Sequence, residues 1–166
     1  MLVDASWGLS YCTEKDEGIN DVLSNDVASR LVELLNSPHP SLITPCLKTV
    51  GNIIAGSDEQ TTQILKEEDL LPNLLTLLDN QKKPIRKETL WILSNITTGS
   101  PVQFESVMGN PAFVEKIIHA AKTDSHDIRK EAVFVLSNST GECTPAQIIR
   151  VLENGVYDCL VELLQS

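Results

Sequence analysis

The sequence contains 166 residues, 42% of them hydrophobic, which is enough apolar material for a folded core. It carries 13 Lys and Arg residues against 23 Asp and Glu residues, and the resulting net charge of −10 argues against a general binder of nucleic acid or of anionic membranes. No apolar run approaches the roughly 18 residues that span a bilayer, and the opening residues do not predict a signal peptide. A basic partner is the one that this charge favours.

Pairs of apolar residues recur at a fixed interval along the chain. Each pair begins 43 residues after the one before it: Leu34 and Leu35, Leu77 and Leu78, Ala120 and Ala121, Leu163 and Leu164. A second series joins a large residue to a hydrogen-bonding residue four positions later, at nearly the same period: Trp7 with Tyr11, Lys48 with Asn52, Trp91 with Asn95, and Phe134 with Asn138. A period of about 40–47 residues with helical content is typical of armadillo and HEAT repeats. The sequence therefore predicts an array of such repeats.

Within each period the apolar residues recur at intervals of three and four, which predicts helices rather than strands. Prolines fall where helices would begin and glycines where they would end: Pro72, Pro84, Pro101, Pro111 and Pro145 at the starts, and Gly56, Gly99 and Gly141 at the ends. Each repeat is thus predicted to hold a short first helix, a second helix with the apolar pair, and a longer third helix. We expect the third helices near residues 2–13, 41–55, 83–98 and 127–140, with a delayed start or a kink at Pro45.

These helices predict one leading helix, three complete repeats and two further helices, at residues 1–13, 16–56, 57–99, 100–142 and 145–166. Because a single repeat cannot bury its apolar face, we expect the repeats to stack into an all-α, right-handed superhelical armadillo-repeat solenoid. The third helices would line its concave side. We interpret the chain as part of a longer array, whose exposed repeat ends would favour self-association.

Catalytic and metal chemistry is not indicated. The four cysteines are spaced 34, 97 and 16 residues apart, which fits no common zinc motif, and they are expected to be reduced thiols: Cys12, Cys46, Cys143 and Cys159. The three histidines share no ligand spacing, and the sequence shows no catalytic Ser, His and acid set and no phosphate-binding glycine loop. We predict no cofactor, no metal and no enzymatic activity.

The paired residues of the third helices are the candidate binding residues. Residues four apart share one face of a helix, so each ring and its asparagine are expected to face the groove together. A core position is the alternative for such rings, but the repetition and the paired asparagines favour exposure to solvent. An asparagine amide has one acceptor and two donors, which would pair with both the C=O and the N–H of an extended peptide, a role predicted for Asn52, Asn95 and Asn138.

Acidic residues accompany the rings. Glu88 and Glu131 precede Trp91 and Phe134 by three positions, which places each acid on the same helix face as its ring. A Lys or Arg side chain lying between rings would bury its methylenes and gain a cation–π contact. Solvation or pairing with neighbouring lysines is the alternative for these acids. Their recurrence at one spacing from the rings favours a groove for Lys/Arg-rich peptides.

Three segments make the chain resemble the importin-alpha (karyopherin-alpha) family, whose members bind basic nuclear localisation signals on armadillo repeats. They are Trp-Gly-Leu-Ser-Tyr at 7–11, Val-Gly-Asn-Ile at 50–53 followed by Gly-Ser-Asp-Glu-Gln-Thr at 56–61, and Trp-Ile-Leu-Ser-Asn-Ile-Thr at 91–97. The resemblance covers essentially the whole chain. It matches the later repeats of the family, around the minor signal-binding site.

This resemblance implies a set of residues that would receive the backbone and the basic side chains of the signal. They are Trp91, Asn95, Phe134, Asn138, Glu88, Ser94, Glu131, Asp58 and Thr61. Lys48 and Tyr11 fall where the family interrupts its Trp and Asn series and separates its two sites. Phe134 stands where the family has Trp, which gives a weaker cation–π surface. The family's major-site repeats, and the basic segment that recruits an importin-beta type receptor, have no counterpart in these 166 residues.

We therefore predict a nuclear-import adaptor segment that binds extended Lys/Arg-rich nuclear localisation signals and shuttles between cytoplasm and nucleus. Two alternatives remain. One is an armadillo scaffold of the adhesion or signalling type, whose groove is typically basic, and the net charge of −10 argues against it. The other is a structural extension of the array that binds no signal itself, an alternative that Lys48 and Phe134 leave open.

Overall fold

The structure, a computed structural model, describes residues 1–138 and 144–165. Within those ranges the chain forms α-helices joined by short turns and contains no β-strand. It divides into two compact units, Met1–Ile92 and Leu93–Ser166. The predicted helix end at residue 140, with Gly141 and Cys143, lies outside the described residues, and the repeat boundaries stay a prediction.

Seven helices belong to the first unit, and the last of them continues into the second: α1 Leu2–Cys12, α2 Asp16–Ser24, α3 Val27–Leu34, α4 Pro40–Ile54, α5 Asp58–Ile64, α6 Leu70–Leu77 and α7 Lys83–Thr97. Helix α4 packs on α1 and α3 and buries Leu47, Val50 and Ile53 in the core. Polar side chains also join helices of successive periods, since the Asn73 amide donates to the Val32 carbonyl at 2.9 Å. Residues about one period apart are therefore neighbours in this unit.

The described part of the second unit contains five further α-helices and a π-helical segment, Leu152–Val156, between the last two: α8 Pro101–Met108, α9 Pro111–Thr123, α10 His126–Asn138, α11 Pro145–Val151 and α12 Tyr157–Gln165. Helix α9 packs on α10, and Phe104, Phe113 and Ile117 are buried in the core. A turn at Gly155 separates α11 from α12. Its φ of +89° is a left-handed conformation that glycine adopts without the strain of a Cβ atom.

Helices α1, α4, α7 and α10 lie where the sequence predicts third helices, although α9, at the place of a second helix, has 13 residues, as many as α10. Of the two outcomes predicted at Pro45, the delayed start is wrong, because α4 begins at Pro40 and runs through Pro45. Pro40 occupies the first helical turn, where a missing N–H breaks no hydrogen bond. Pro45 removes one backbone donor, and burial of α4 against α1 and α3 offsets that loss.

Capping boxes begin three of the short helices, α5, α8 and α11. In each, a hydroxyl accepts from the backbone N–H of a glutamine three residues later, whose side chain accepts from the backbone N–H of the cap. The pairs are Ser57 with Gln60, Ser100 with Gln103, and Thr144 with Gln147. These local hydrogen bonds fix where helices of only seven or eight residues begin.

Replacing Ser100 with alanine is expected to lower the free energy of unfolding by about 1 kcal/mol, because the N-terminal N–H groups of α8 lose their side-chain acceptor. Urea denaturation followed by circular dichroism measures the change. Ser29→Ala is the matched control, since Ser29 is exposed within α3 and does not cap it. Equal destabilisation by both substitutions would contradict a specific capping role for Ser100.

Candidate functional site

The indole of Trp91 and the carboxylate of Glu88 lie together on the first unit. The edge of the indole packs against the backbone of α4 at Gly51, and a carboxylate oxygen of Glu88 reaches the same point. Both side chains are half-buried, so each combines a contact with protein and an accessible part. The structure thus brings this ring and this acid together, and it does not place Trp91 in the core.

The two residues predicted to separate binding sites also lie in the first unit. Lys48 is half-buried on α4, one helical turn before Asn52. Tyr11 is 60% exposed on α1, and its ring stacks on that of Trp7 with centroids 6.0 Å apart and 26° between the planes. Part of the Trp7 ring is therefore covered by the chain itself. The separating role of Lys48 and Tyr11 stays a prediction.

Asn52 holds α4 against α1. Its amide nitrogen donates to the Ser10 carbonyl at 3.0 Å and lies 3.1 Å from the Thr13 hydroxyl oxygen. Both N–H groups of the amide are thereby engaged within the protein. The predicted pairing of Asn52 with a peptide backbone stays a prediction, and the amide oxygen is the group of Asn52 that these two bonds leave for a peptide N–H.

Helix α5 carries the two residues predicted between the third helices. Asp58 is exposed at its first position, as a ligand-binding carboxylate requires. Thr61 is 4% exposed, and its hydroxyl donates to the carbonyl of Ile54 at 3.0 Å. This bond ties α5 to the end of α4, and the predicted contact of Thr61 with the signal stays a prediction.

In the second unit, Asn138 of α10 contacts the end of α7. Its amide donates to the Ser94 carbonyl at 3.3 Å, which uses one of the two amide N–H groups. Ser94 itself is buried. Asn95, the next residue on α7, is half-buried. The predicted contacts of Ser94, Asn95 and Asn138 with a signal peptide stay predictions.

Phe134 is 47% exposed on α10, as a ligand-binding ring requires. The Lys130 ammonium lies 5.8 Å from the centre of the Phe134 ring, so a cation of the chain already makes a cation–π contact there. Glu131, the acid predicted to accompany this ring, is half-buried. An incoming Lys or Arg would have to displace Lys130 to use the same face of the ring.

A groove of about 680 Å³ lies between α10 and α12, beside Phe134. Its lining includes the apolar side chains of Val133, Leu160 and Leu163 and the basic side chains of Arg129 and Lys130. No acidic residue is among the described residues that line it, although the chain as a whole carries a net charge of −10. The surroundings of Phe134 thus differ in charge from the Glu88 carboxylate beside Trp91.

The described cysteines are free thiols. Cys12 is exposed, whereas Cys46 and Cys159 are buried. Burial raises the pKa of both buried thiols, which keeps them protonated as small packing groups. Among residues 1–138 and 144–165, no cluster of His, Cys, Asp or Glu is arranged to hold a metal ion.

The chain is similar in sequence to known proteins of one family. A family model for the Armadillo/beta-catenin-like repeat matches residues 57–98. Importin subunit alpha-1a of Oryza sativa subsp. japonica is 46% identical over 77 residues, and importin subunit alpha-3 of Arabidopsis thaliana is 41% identical over 76 residues. The chain carries armadillo repeats that are similar to those of importin subunits alpha. The two alignments cover 46% and 45% of this importin-alpha-type chain, and 14% of the length of each relative.

Solved armadillo structures are similar over nearly the whole chain. A designed armadillo repeat protein in complex with the peptide (KR)4 matches with a TM-score of 0.89 at 26% identity, over 98% of this chain and 67% of its own. A second design, for modular peptide recognition, matches with a TM-score of 0.88 at 25% identity, over 98% and 68% of the two chains. The armadillo-repeat solenoid predicted from the period of the sequence is thereby confirmed. In the described part of this importin-alpha-type chain, every helix is too short or too polar to cross a membrane.

Three contacts of this importin-alpha-type surface are not predicted from the sequence. They are Gly51 against Trp91, Asn52 against α1, and Lys130 over Phe134. The spacing of four residues between Lys130 and Phe134 is a local signal that could have revealed the third contact. The first two join residues about one period apart, so no local pattern marks them.

Proposed function

We propose that this importin-alpha-type chain binds extended Lys/Arg-rich peptides, as a segment of an adaptor for basic nuclear localisation signals. The observation that carries the proposal is the half-buried indole of Trp91, which lies with the carboxylate of Glu88 on α7 and against Gly51 of α4. A designed armadillo repeat protein of the same fold was solved with the peptide (KR)4, which supports a basic ligand. The peptide-binding function thus rests on a specific pair of side chains as well as on the family.

A Lys or Arg side chain would lay its methylenes on the Trp91 indole and direct its charge toward Glu88. The cation–π contact contributes about 0.5–2 kcal/mol, depending on desolvation, and a hydrogen bond to a carboxylate contributes about 1.5–3 kcal/mol. The net charge of −10 steers a basic peptide toward the chain and speeds the encounter. Such a site selects Lys or Arg over neutral residues.

Asparagines would supply the main-chain hydrogen bonds of the complex. Asn52 would accept from a peptide N–H through its oxygen, because Ser10 and Thr13 hold its amide nitrogen. We assign the same general role to Asn95 and Asn138, which are half-buried. Each such bond contributes about 0.5–1.5 kcal/mol net, so the asparagines fix peptide register more than they supply affinity.

The surface around Phe134 would contribute less than that around Trp91. Its ring is smaller than an indole, Lys130 already lies over it, and Arg129 and Lys130 line the adjoining groove. These observations favour, at this position alone, the second candidate function, in which part of the chain extends the array without binding signal. Glu131 and Asp58 remain proposed acceptors for basic side chains.

Titration of the 166-residue chain with the peptide (KR)4 tests the proposed function. We expect binding whose affinity falls about tenfold or more between roughly 50 mM and roughly 500 mM salt, because the Debye length shrinks severalfold. Isothermal calorimetry measures both dissociation constants. An acidic peptide of the same length is the control and should not bind. The same affinity at both salt concentrations, or equal binding of the acidic peptide, would refute charge-based recognition.

The wider cellular role follows from the family rather than from the geometry. We propose that the intact protein carries cargo with basic signals, engages an importin-beta type receptor and shuttles between cytoplasm and nucleus. The relatives that support this role are importin subunits alpha, of which the chain matches 14% in length. We assign the chain no catalytic step.

A further inference from the structure

Gly51 occupies an unexpected place for a glycine. It lies buried inside α4, three residues before the helix ends, where alanine would favour the helix. Its φ is not positive, so the backbone conformation does not require glycine. The reason for a glycine at this position must therefore lie in what packs against it.

The atoms that pack there belong to the proposed site. A Cβ atom added to Gly51 would lie 2.9 Å from Cζ3 of Trp91, 3.3 Å from Cγ1 of Ile92 and 3.4 Å from a carboxylate oxygen of Glu88. The first distance is shorter than van der Waals contact allows. The edge of the indole thus fills the space of the missing methyl group, and the Glu88 carboxylate lies at its border.

We propose that Gly51 is a positioning residue, which seats the Trp91 indole against α4 and keeps the Glu88 carboxylate beside it. A side chain at this position would displace the ring, whereas its Cβ would meet the Glu88 oxygen only at ordinary van der Waals distance, so the ring would move relative to the carboxylate. The consequence for peptide binding rests on the proposed function, whereas the seating of the ring does not.

The repeat provides an internal comparison. Gly8, Gly51 and Ser94 follow one another at intervals of 43 residues, and each precedes by 40 residues the large residue of the following third helix: Lys48, Trp91 and Phe134. Where that residue is Lys48, a Cβ on Gly8 would meet nothing within 4 Å. Where it is the large indole of Trp91, the position is a glycine in tight contact. Where it is the smaller ring of Phe134, the position is a serine. The tight contact at a glycine therefore coincides with the indole of Trp91.

The substitution Gly51→Ala tests the proposal in the whole chain with Trp7→Phe, so that Trp91 is the single indole. We expect a changed Trp91 emission and near-ultraviolet circular dichroism, and an unfolding midpoint lower by about 2–4 °C or more. Gly8→Ala is the matched control, which should leave both signals and the midpoint unchanged or raise the midpoint. Unchanged Trp91 signals with an unchanged midpoint in Gly51→Ala would overturn the proposal.

A comparison in a chain that lacks the Trp91 indole keeps the proposal testable if Gly51→Ala does not fold. In a Trp91→Ala chain the indole is gone, so Gly51→Ala should no longer lower the midpoint. An equal loss with and without the indole would overturn the positioning role.

Peptide titration then separates this proposal from the proposed function. If the parent chain binds (KR)4, Gly51→Ala should weaken binding by about fivefold or more, as expected for one displaced contact. Unaltered affinity together with a displaced ring would overturn the positioning role in binding. If the parent chain does not bind, the proposed function fails, while the spectra and the midpoints still decide whether Gly51 seats Trp91.

Discussion

Replacing Trp91 with alanine is expected to weaken binding of a Lys/Arg-rich peptide by about 5- to 30-fold, which corresponds to the loss of one or two kcal/mol. The indole is the half-exposed ring that packs against α4 beside the Glu88 carboxylate. Alanine removes both the apolar surface for the methylenes and the cation–π contact. Calorimetric titration with (KR)4 measures the change.

Two further substitutions distinguish damage to the binding surface from damage to the fold. Lys48→Ala removes a positive charge from α4 and should leave the affinity unchanged or improve it. Phe134→Ala should cost less than Trp91→Ala, because Lys130 already lies over the Phe134 ring. If all three substitutions reduced affinity equally, the effect would lie in the fold, and Trp91 would have no specific role in recognition.

Replacing Phe104 with alanine is expected to lower the free energy of unfolding by about 3–5 kcal/mol. Phe104 lies on α8, is 1% exposed and is among the largest fully buried side chains of the chain. The substitution loses the free energy gained by transferring an aromatic ring from water to the core, and it leaves a cavity that the surrounding helices fill only in part. Urea denaturation monitored by circular dichroism at 222 nm is the measurement.

Val102→Ala is the matched control for Phe104→Ala, because Val102 lies on the same helix and is 80% exposed. It should change the free energy of unfolding by no more than about 0.5 kcal/mol. A small effect of Phe104→Ala, or an effect of Val102→Ala as large, would show that α8 does not pack through Phe104.

The helices can be predicted from the sequence because the signals that form them are local. Apolar residues at intervals of three and four, a proline in the first turn, and a Ser or Thr followed by Gln three residues later each act within one or two turns. The capping boxes at Ser57, Ser100 and Thr144 show how such signals fix where a short helix begins. Pro45 marks the limit of this reasoning, since packing of α4 overrides its effect on the start of the helix.

The candidate site is predictable in part for the same reason. Trp91 and Glu88 are three residues apart, so helix geometry alone places them on one face. The burial of Thr61 and Ser94 was not predictable in this way, because the Ile54 carbonyl that accepts from Thr61 is brought into reach only by the turn between α4 and α5. A resemblance to a family names residues, but it does not say which of their polar groups are already engaged within the protein.

The sequence by itself determined the helices, because their signals are local, and the period of 43 residues and the type of repeat, because similar residue patterns recur along the chain. Only the tertiary structure decided that the amide N–H groups of Asn52 donate to the C-terminal end of α1 and that the indole of Trp91 packs against Gly51. Each of these contacts joins residues about 40 positions apart, and their distance is set by how closely two helices pack. The space between two packed helices is only a few ångströms wide, and no local sequence pattern shows which side chain fills it.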